Sequence, residues 1–272
     1  MGEYPLILFT VLSQLSAGAA ITLSLLDYFT KIDNSAGKKS TLVVLVMIAL
    51  SLGISLLHLG HPFNAYRALT NIGSSWLSRE AILFFLLGIL LLVYYFQWKE
   101  ENSFRKSLGL IISVVSVLAV VSSGMVYVLP AVPAWNNFSP ILFFLFTGAA
   151  LGPMFILLML KLTNGAFSRL VQFTAVILAA SLMCFIVYVS VLLSGSGASA
   201  STGSQIVGSG IFWPRLLVNW ILPLGIFAWL TFKRISPDRK VVCSLFVMVF
   251  IGELLGRYLF YYASVALKVA GL

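Results

Sequence analysis

Eight apolar segments, separated by short polar connectors, occupy almost the whole of this sequence. An α-helix rises about 1.5 Å per residue, so about 20 apolar residues cross a hydrocarbon core of roughly 30 Å. The segments lack the alternating pattern of a transmembrane β-barrel, and only helices and closed barrels satisfy the backbone in lipid. We therefore predict an all-α, polytopic membrane helix bundle with eight spans: Pro5–Phe29, Thr41–Leu57, Ala81–Trp98, Leu108–Leu129, Ser139–Leu160, Leu170–Leu193, Phe212–Phe232 and Val241–Leu267.

The composition agrees with an integral membrane protein. Of all residues, 60% are hydrophobic and 9% are charged, and the mean hydropathy is +1.05, which excludes an ordinary soluble domain. The apolar segments leave no room for a separate soluble domain, so we expect one membrane domain over residues 1–272. The first segment has no basic region before it and no cleavage signal after it, which predicts a retained helix.

The charged residues predict the orientation of the bundle. The net charge is +9, but the basic side chains lie in short connectors beside apolar segments, so topology explains them better than a nucleic-acid partner does. Cytoplasmic connectors of membrane proteins are enriched in Lys and Arg. We therefore place both termini on the periplasmic side and the connectors after spans one, three, five and seven in the cytoplasm. Those four connectors carry Lys31, Lys38, Lys39, Lys99, Arg105, Lys106, Lys161, Arg169, Lys233, Arg234, Arg239 and Lys240.

The stretch His58–Glu80 concentrates the titratable residues at the periplasmic boundary. His58 ends span two and Glu80 opens span three, and both side-chain types can accept and release protons during catalysis. They form a candidate proton-accepting pair, although a histidine that caps a helix end also fits His58. We expect His61 to be exposed in the connector and Ala65–Leu77 to contain a short interfacial helix with one apolar face.

Three further charged residues lie within spans. Glu253 and Arg257 are four residues apart, so they share a helical face and can pair, which lowers the cost of burying each charge. A structural ion pair and a polar ligand site both remain possible for them. Arg215, at the entrance of span seven, is expected either to bind a carbonyl or hydroxyl oxygen or to extend to the membrane surface.

Other polar or small residues have simpler interpretations. Asp27 is expected to be a solvated residue at a span end, and Tyr127 fits the aromatic belt. Cys184 and Cys243 are expected to be buried and hydrophobic. The segment Gly195–Gly210 consists mostly of small residues, which predicts a flexible loop.

Metal and haem sites are not expected in this protein. Its two cysteines are too few and too far apart for an iron–sulfur cluster or a zinc site, and its two histidines are only three residues apart, which does not suit a haem between helices. The pairs Gly148/Gly152 and Gly252/Gly256 are expected to allow close helix packing.

A series of motifs in order along the sequence resembles a known family. The motifs are YPLILFTVLSQLSAGAAI at the N-terminus, HLGHP, FNAYRAL, NIG and LSRE in the polar stretch, VYVLPAVPAW and FTGAALGP in the middle, and GELLGRYLFY near the end. Together they cover nearly the whole sequence. The protein resembles the DmsC-type membrane-anchor subunits of bacterial dimethyl sulfoxide reductases.

This resemblance implies an eight-helix anchor in the bacterial cytoplasmic membrane with both termini periplasmic. It implies that menaquinol binds near the periplasmic face and that its electrons pass to an iron–sulfur subunit, which supplies a molybdopterin catalytic subunit. The histidine of the family's HLG-x-P motif and the glutamate of its LS-x-E motif correspond to His58 and Glu80. It also implies that the anchor contains no haem. Arg215, Glu253 and Arg257 are additional candidates for the head-group pocket.

Two alternatives remain at this point. A secondary transporter would use Glu253 and Arg257 as a substrate or ion site near the middle of the membrane and would have broken helices. A quinone-interacting anchor of another oxidoreductase, such as a polysulfide or tetrathionate reductase, would share the chemistry but serve a different catalytic subunit.

Overall fold

A computed structural model describes residues 4–56, 71–99, 103–160, 164–233 and 237–267. Eight helices in these ranges are long and apolar enough to cross a membrane, which confirms the predicted bundle. The described elements are α1 (Tyr4–Phe29), α2 (Asn34–Leu56), α3 (Trp76–Phe96), α4 (Ser103–Val126), α5 (Ser139–Met159), α6 (Asn164–Ser194), α7 (Ala198–Gly208), α8 (Phe212–Leu216), a π-helical segment (Leu217–Ile221), α9 (Leu222–Lys233) and α10 (Arg239–Tyr262).

Helix α1 is the central element of the bundle. In its most apolar window 78% of residues are buried, against 28–61% in the other spans. Small residues line much of its length, so neighbouring helices approach closely. A Cβ atom added at Gly18 would overlap the backbone of Gly148, and one at Gly152 would overlap the backbone of Gly18. This contact between α1 and α5 confirms the packing role predicted for Gly148 and Gly152.

Replacing Gly152 by Val is expected to destabilise the protein by about 1–3 kcal/mol or more, because the new side chain would push α5 away from α1. The matched control is Gly225→Val in α9, since a Cβ atom at Gly225 meets nothing within 4 Å. Thermal unfolding of the purified protein in detergent would compare the two variants. Equal stability of both would contradict the close backbone contact.

A buried charge cluster joins four helices at the end of the bundle that carries most basic residues, here called the basic end. Asp27 is 1% exposed and pairs with Arg105, also 1% exposed, at 2.8 Å between Oδ1 and Nη2. The Arg105 Nε group donates to Asp27 Oδ2 at 3.0 Å, and the Tyr94 hydroxyl donates to the same oxygen at 2.7 Å. The expectation that Asp27 is solvated was therefore wrong, because α4 brings a buried arginine to it.

The segment after α6 was also predicted incorrectly. Most of Gly195–Gly210 forms α7 rather than a flexible loop. Gly203 packs against α6, where an added Cβ would lie 3.1 Å from Leu192 Cβ, and Thr202 accepts a hydrogen bond from the Val265 amide at 3.0 Å. Small side chains therefore let this helix dock closely.

The two cysteines are less enclosed than expected. Cys184 is half-buried and Cys243 is exposed on the outside of the bundle. A membrane protein presents apolar side chains outward to lipid, so hydrophobicity alone did not distinguish a core position from a lipid-facing one.

Candidate functional site

Helix α3 begins one turn before Glu80 and sets the position of that residue. The Ser75 side chain caps the helix by accepting from the Ser78 amide at 3.4 Å. Arg79 points away and donates to the carbonyls of Ile72 and Gly73 at 2.9 and 2.7 Å. Glu80 starts the buried stripe of α3, which continues at three- and four-residue spacing through Phe84, Leu87, Leu91 and Tyr94. Its carboxyl group therefore faces the interior of the bundle.

Glu80 is a buried carboxyl group. It is 4% exposed, and the Ser123 hydroxyl of α4 donates a hydrogen bond to its Oε1. Within the described ranges the one salt bridge is Asp27–Arg105, so no described Lys or Arg pairs with Glu80. This carboxyl can therefore accept a proton without breaking an ion pair.

A hydrogen-bonded pair of tyrosines begins one helical turn beyond Ser123, the residue that contacts this carboxyl group. Tyr127 follows Ser123 by one helical turn, and Tyr261 follows Arg257 by one turn on α10. The Tyr261 hydroxyl donates to the Tyr127 hydroxyl at 3.0 Å. The Tyr127 ring is enclosed by Trp135, Phe144, Phe260 and Tyr261, with ring centroids 5.4–5.6 Å away. Tyr127 is thus a buried bridge between α4 and α10, and the prediction of a belt residue was wrong.

Arg257 and Glu253 belong to a hydrogen-bonded series rather than to a direct pair. Arg257 Nη2 donates to Gln14 Oε1 at 2.7 Å and to Thr147 Oγ1 at 3.2 Å. The Thr147 hydroxyl in turn donates to Glu253 Oε2 at 2.6 Å. No salt bridge joins Glu253 and Arg257, so the structural ion pair, one of the two interpretations left open by the sequence, is not formed. Thr147 from α5 lies between the two charges.

The π-helical segment provides a further partner for Glu253. Asn219, within this segment, donates from Nδ2 to Glu253 Oε1 at 3.0 Å. Pro223 has no amide hydrogen to offer the Asn219 carbonyl, so the regular helical bond cannot form there, and Leu222 donates to the Leu217 carbonyl five residues back. The wider turn lets Asn219 approach Gly252, where a Cβ atom would overlap the Asn219 side chain.

Arg215 occupies the same layer. Its guanidinium lies 4.2 Å from the ring centre of Phe185 and 4.8 Å from that of Trp220. A Cβ atom at Gly256 would be 2.6 Å from Arg215 Nε, so this glycine makes room for the guanidinium. Gly252 and Gly256 therefore admit polar side chains of α8 and the π-helical segment, in addition to allowing close packing. Arg215 is 8% exposed and does not extend to the surface.

A small cavity of about 30 Å³ lies between these charged groups, and Arg215, Glu253 and Arg257 line it. This volume is about that of one water molecule, whereas pockets for drug-sized ligands measure about 300–1,000 Å³. Four buried polar atoms near these charges have no described partner: Gln14 Nε2, Arg215 Nε, Asn219 Oδ1 and Arg257 Nε. Such atoms are normally satisfied by water or a ligand, so the layer is suited to hold small polar groups.

The sequence-predicted residues divide into three groups. Arg215, Glu253 and Arg257 share one cavity. Glu80 lies with Ser123, and the tyrosine pair connects this position to Arg257. His58, His61 and residues 65–70 lie outside the described residues. Residues 72–74 form a turn, and Trp76 and Leu77 begin α3 instead of ending an interfacial helix.

Several polar members of the layer were missed from sequence: Gln14, Ser123, Thr147, Asn219 and Tyr261. Each is a neutral residue inside an apolar segment, where serine and threonine commonly bond to their own helix. The available signal was spacing: Ser123 and Tyr127 share one face of α4, and Arg257 and Tyr261 share one face of α10.

Comparison with known proteins places the whole sequence in one group. It is 28% identical over 285 residues to the anaerobic dimethyl sulfoxide reductase chain YnfH of Escherichia coli (strain K12), a match covering 99% of this protein and 98% of the relative. It is also 28% identical, over 291 residues, to another anaerobic dimethyl sulfoxide reductase chain of the same organism, covering 98% of each.

A shorter match extends to another enzyme. Over 128 residues the protein is 30% identical to a sulfite dehydrogenase subunit of Allochromatium vinosum, covering 42% of this sequence and 39% of that subunit. The model of the family described as DMSO reductase anchor subunit (DmsC) matches residues 1–262. Because this match includes all eight membrane-spanning helices, the chain belongs to the DmsC family of DMSO reductase anchor subunits.

Proposed function

We propose that this membrane anchor oxidises menaquinol at the end of the bundle opposite the basic end. In this proposal the electrons pass to an iron–sulfur subunit and then to a molybdopterin catalytic subunit, both docked on the periplasmic face. The anchor role itself follows from family membership. Quinol oxidation is a finer claim than the anchor role, and it is supported chiefly by the buried Glu80 carboxyl group, which no described Lys or Arg pairs with.

The chemistry needs a proton acceptor as well as an electron acceptor, because a quinol releases two protons and two electrons when it becomes a quinone. We assign the first proton transfer to His58 and its onward relay to Glu80, following the motifs that both residues match in the family. Ser123 holds the Glu80 side chain through its hydroxyl group. Glu80 can then receive a proton from a neighbouring group and release it towards the periplasm.

Arg215, Glu253 and Arg257 have a secondary part in this proposal. Their cavity of about 30 Å³ accommodates a water molecule rather than a two-ring head group. We therefore assign these residues to the polar wall behind the quinol, where they hold hydrogen-bonded groups in place. The tyrosine pair connects this wall to the helix that carries Ser123.

The electrons must leave through partner subunits. The two cysteines of this protein are too few to supply the several thiolates that an iron–sulfur cluster requires. We infer from the positive-inside rule that the basic end faces the cytoplasm and both termini face the periplasm, so the partners would bind the periplasmic connectors. The match to a sulfite dehydrogenase subunit indicates that similar anchors serve different enzymes, so the partner sets the terminal acceptor.

A transporter function finds less support. The broken helices that it would require are not seen in the described spans, where the one irregular stretch is the π-helical segment between α8 and α9. That segment continues the helix without an extended break.

Binding of a fluorescent quinol-site inhibitor to the purified complex tests the proposal. We expect His58→Arg and Glu80→Lys to abolish the quenching that accompanies binding, because each introduces a bulky cation where an uncharged head group binds. Lys240→Gln, on the basic end, is the control and should bind normally. Unchanged binding in both site variants, with the complex fully assembled, would remove these residues from the quinol site.

A further inference from the structure

A second, much larger cavity lies away from the polar layer. It is a cleft of about 650 Å³ between α1, α4, α5 and α6, here called the inner cleft. Its volume falls within the range of about 300–1,000 Å³ that is typical of ligand sites. Its walls are mainly apolar, and the proposed quinol chemistry uses none of its residues.

The inner cleft has the length of one bilayer leaflet. On α1 its lining extends from Gly18 to Thr30, twelve residues further on, which is about 18 Å along a helix. Half of a hydrocarbon core of roughly 30 Å is about 15 Å. The cleft therefore extends from near the middle of the membrane to its basic surface, the distance that one acyl tail spans.

One end of the inner cleft is closed by backbone packing. Gly18 and Gly148 line that end, and their helices are in direct backbone contact there. The nearby Thr22 hydroxyl is already used, since it donates to the Gly18 carbonyl at 2.8 Å. This end offers no charged side chain and suits the terminus of a hydrocarbon tail better than a polar ring.

The other end carries a positive charge. Arg169, in the second turn of α6, lines the mouth together with Thr30 of α1. Arg169 is exposed and makes no hydrogen bond or salt bridge to any described residue. Lys31, also exposed, follows Thr30 directly. An anionic group at this mouth would therefore meet the Arg169 guanidinium without displacing a described partner.

We propose that the inner cleft binds an anionic phospholipid of the adjacent leaflet. The acyl tail lies between α1, α5 and α6, and the phosphate binds Arg169. Apolar walls, the length of one leaflet and a cationic mouth together match this chemical class. A quinol would also fit the apolar walls, but its uncharged ring offers no anion to pair with the cation at the mouth. The inference is independent of the quinol site and of which membrane side is cytoplasmic.

Quantifying the lipid that remains with the purified complex tests this proposal. Wild-type protein, washed in detergent containing equal phosphatidylglycerol and phosphatidylcholine, is expected to retain about one more phosphatidylglycerol per anchor than Ala149→Phe, which fills the cleft. Val117→Trp, at a more exposed lining position, is a second filling variant in case the first folds poorly. Both should lose the same lipid.

The headgroup assignment is tested separately. Arg169→Gln is expected to reduce the preference for phosphatidylglycerol over phosphatidylcholine about fivefold while a lipid is still retained, as one basic residue near an anionic surface contributes that much. Lys240→Gln removes an exposed cation outside the cleft and should leave the preference unchanged. The proposal would be overturned if wild type and both filling variants retained equal amounts of lipid. It would also be overturned if Lys240→Gln lost as much preference as Arg169→Gln, or if a quinone were recovered instead of phospholipid.

Discussion

Replacing Glu80 by Gln is expected to lower quinol oxidation by the assembled complex at least about 100-fold, the smaller end of the usual contribution of a general acid or base. Gln has the same shape and can still accept the Ser123 hydrogen bond, but it cannot take up a proton. The effect should therefore appear in kcat more than in KM. Steady-state oxidation of a soluble menaquinol analogue by complex in detergent would measure both constants.

Three companion measurements isolate the proton step. Glu80→Asp keeps a carboxyl group and should recover part of the lost rate. Ser123→Ala removes the positioning hydroxyl and should reduce the rate less than Glu80→Gln does. Reduction of the terminal acceptor by an artificial soluble donor, which bypasses the anchor, should be unaffected in all three variants. Wild-type kcat in Glu80→Gln would show that Glu80 does not accept the proton.

The membrane spans were predictable because hydropathy alone determines them, but their ends were not. Span two was expected to begin at Thr41, whereas α2 begins at Asn34. The additional turns are polar, so their sequence lacks the apolar signal, yet they pack tightly: a Cβ atom at Gly37 would overlap the ring of Trp98. Tertiary contact at the membrane surface, rather than hydropathy, extends the helix.

Glu80 could be singled out from sequence because it is a titratable residue at the opening of a span and matches the family's LS-x-E motif. The environment of Glu80 could not be predicted from sequence. Its hydrogen-bond donor, Ser123, lies 43 residues away, and nothing in the sequence distinguishes this serine from the others in the apolar spans. The same is true of Thr147, which separates Glu253 from Arg257 although those two are adjacent on α10. Helical spacing allowed a direct ion pair between these two residues. Instead, the Thr147 hydroxyl of the neighbouring helix α5 bonds to both side chains.

Helix α7 was missed because the composition of its segment predicted a flexible loop. Gly and Ser have poor intrinsic helix propensity, which favoured a loop. The same small side chains permit close contact of Gly203 with α6, and the Thr202 hydroxyl binds the backbone after α10. Packing against a neighbour outweighs a weak local preference, and a single sequence does not reveal that neighbour.

The charge cluster at the basic end leads to the largest expected change in stability. Asp27→Asn removes the buried carboxylate that pairs with Arg105, and breaking a buried ion pair is expected to cost about 3–5 kcal/mol. Two uncharged contacts of Arg105 would remain. The Asn34 side chain accepts from Arg105 Nη1 at 3.1 Å, and the Trp98 ring lies 4.2 Å from the guanidinium, but neither replaces the charge of Asp27. Reversible unfolding of the purified protein in mixed micelles would measure this loss.

The double variant Asp27→Asn with Arg105→Met separates the charge from the packing. Removing both charges while keeping a long apolar side chain should recover most of the stability, since replacement of a buried ion pair by apolar groups is often nearly neutral. The proposed quinol site lies at the opposite end of the bundle, so quinol-analogue binding by the folded fraction should be unchanged in both variants. If the double variant is as unstable as Asp27→Asn alone, the cluster stabilises the bundle through its hydrogen-bond geometry and not through charge pairing.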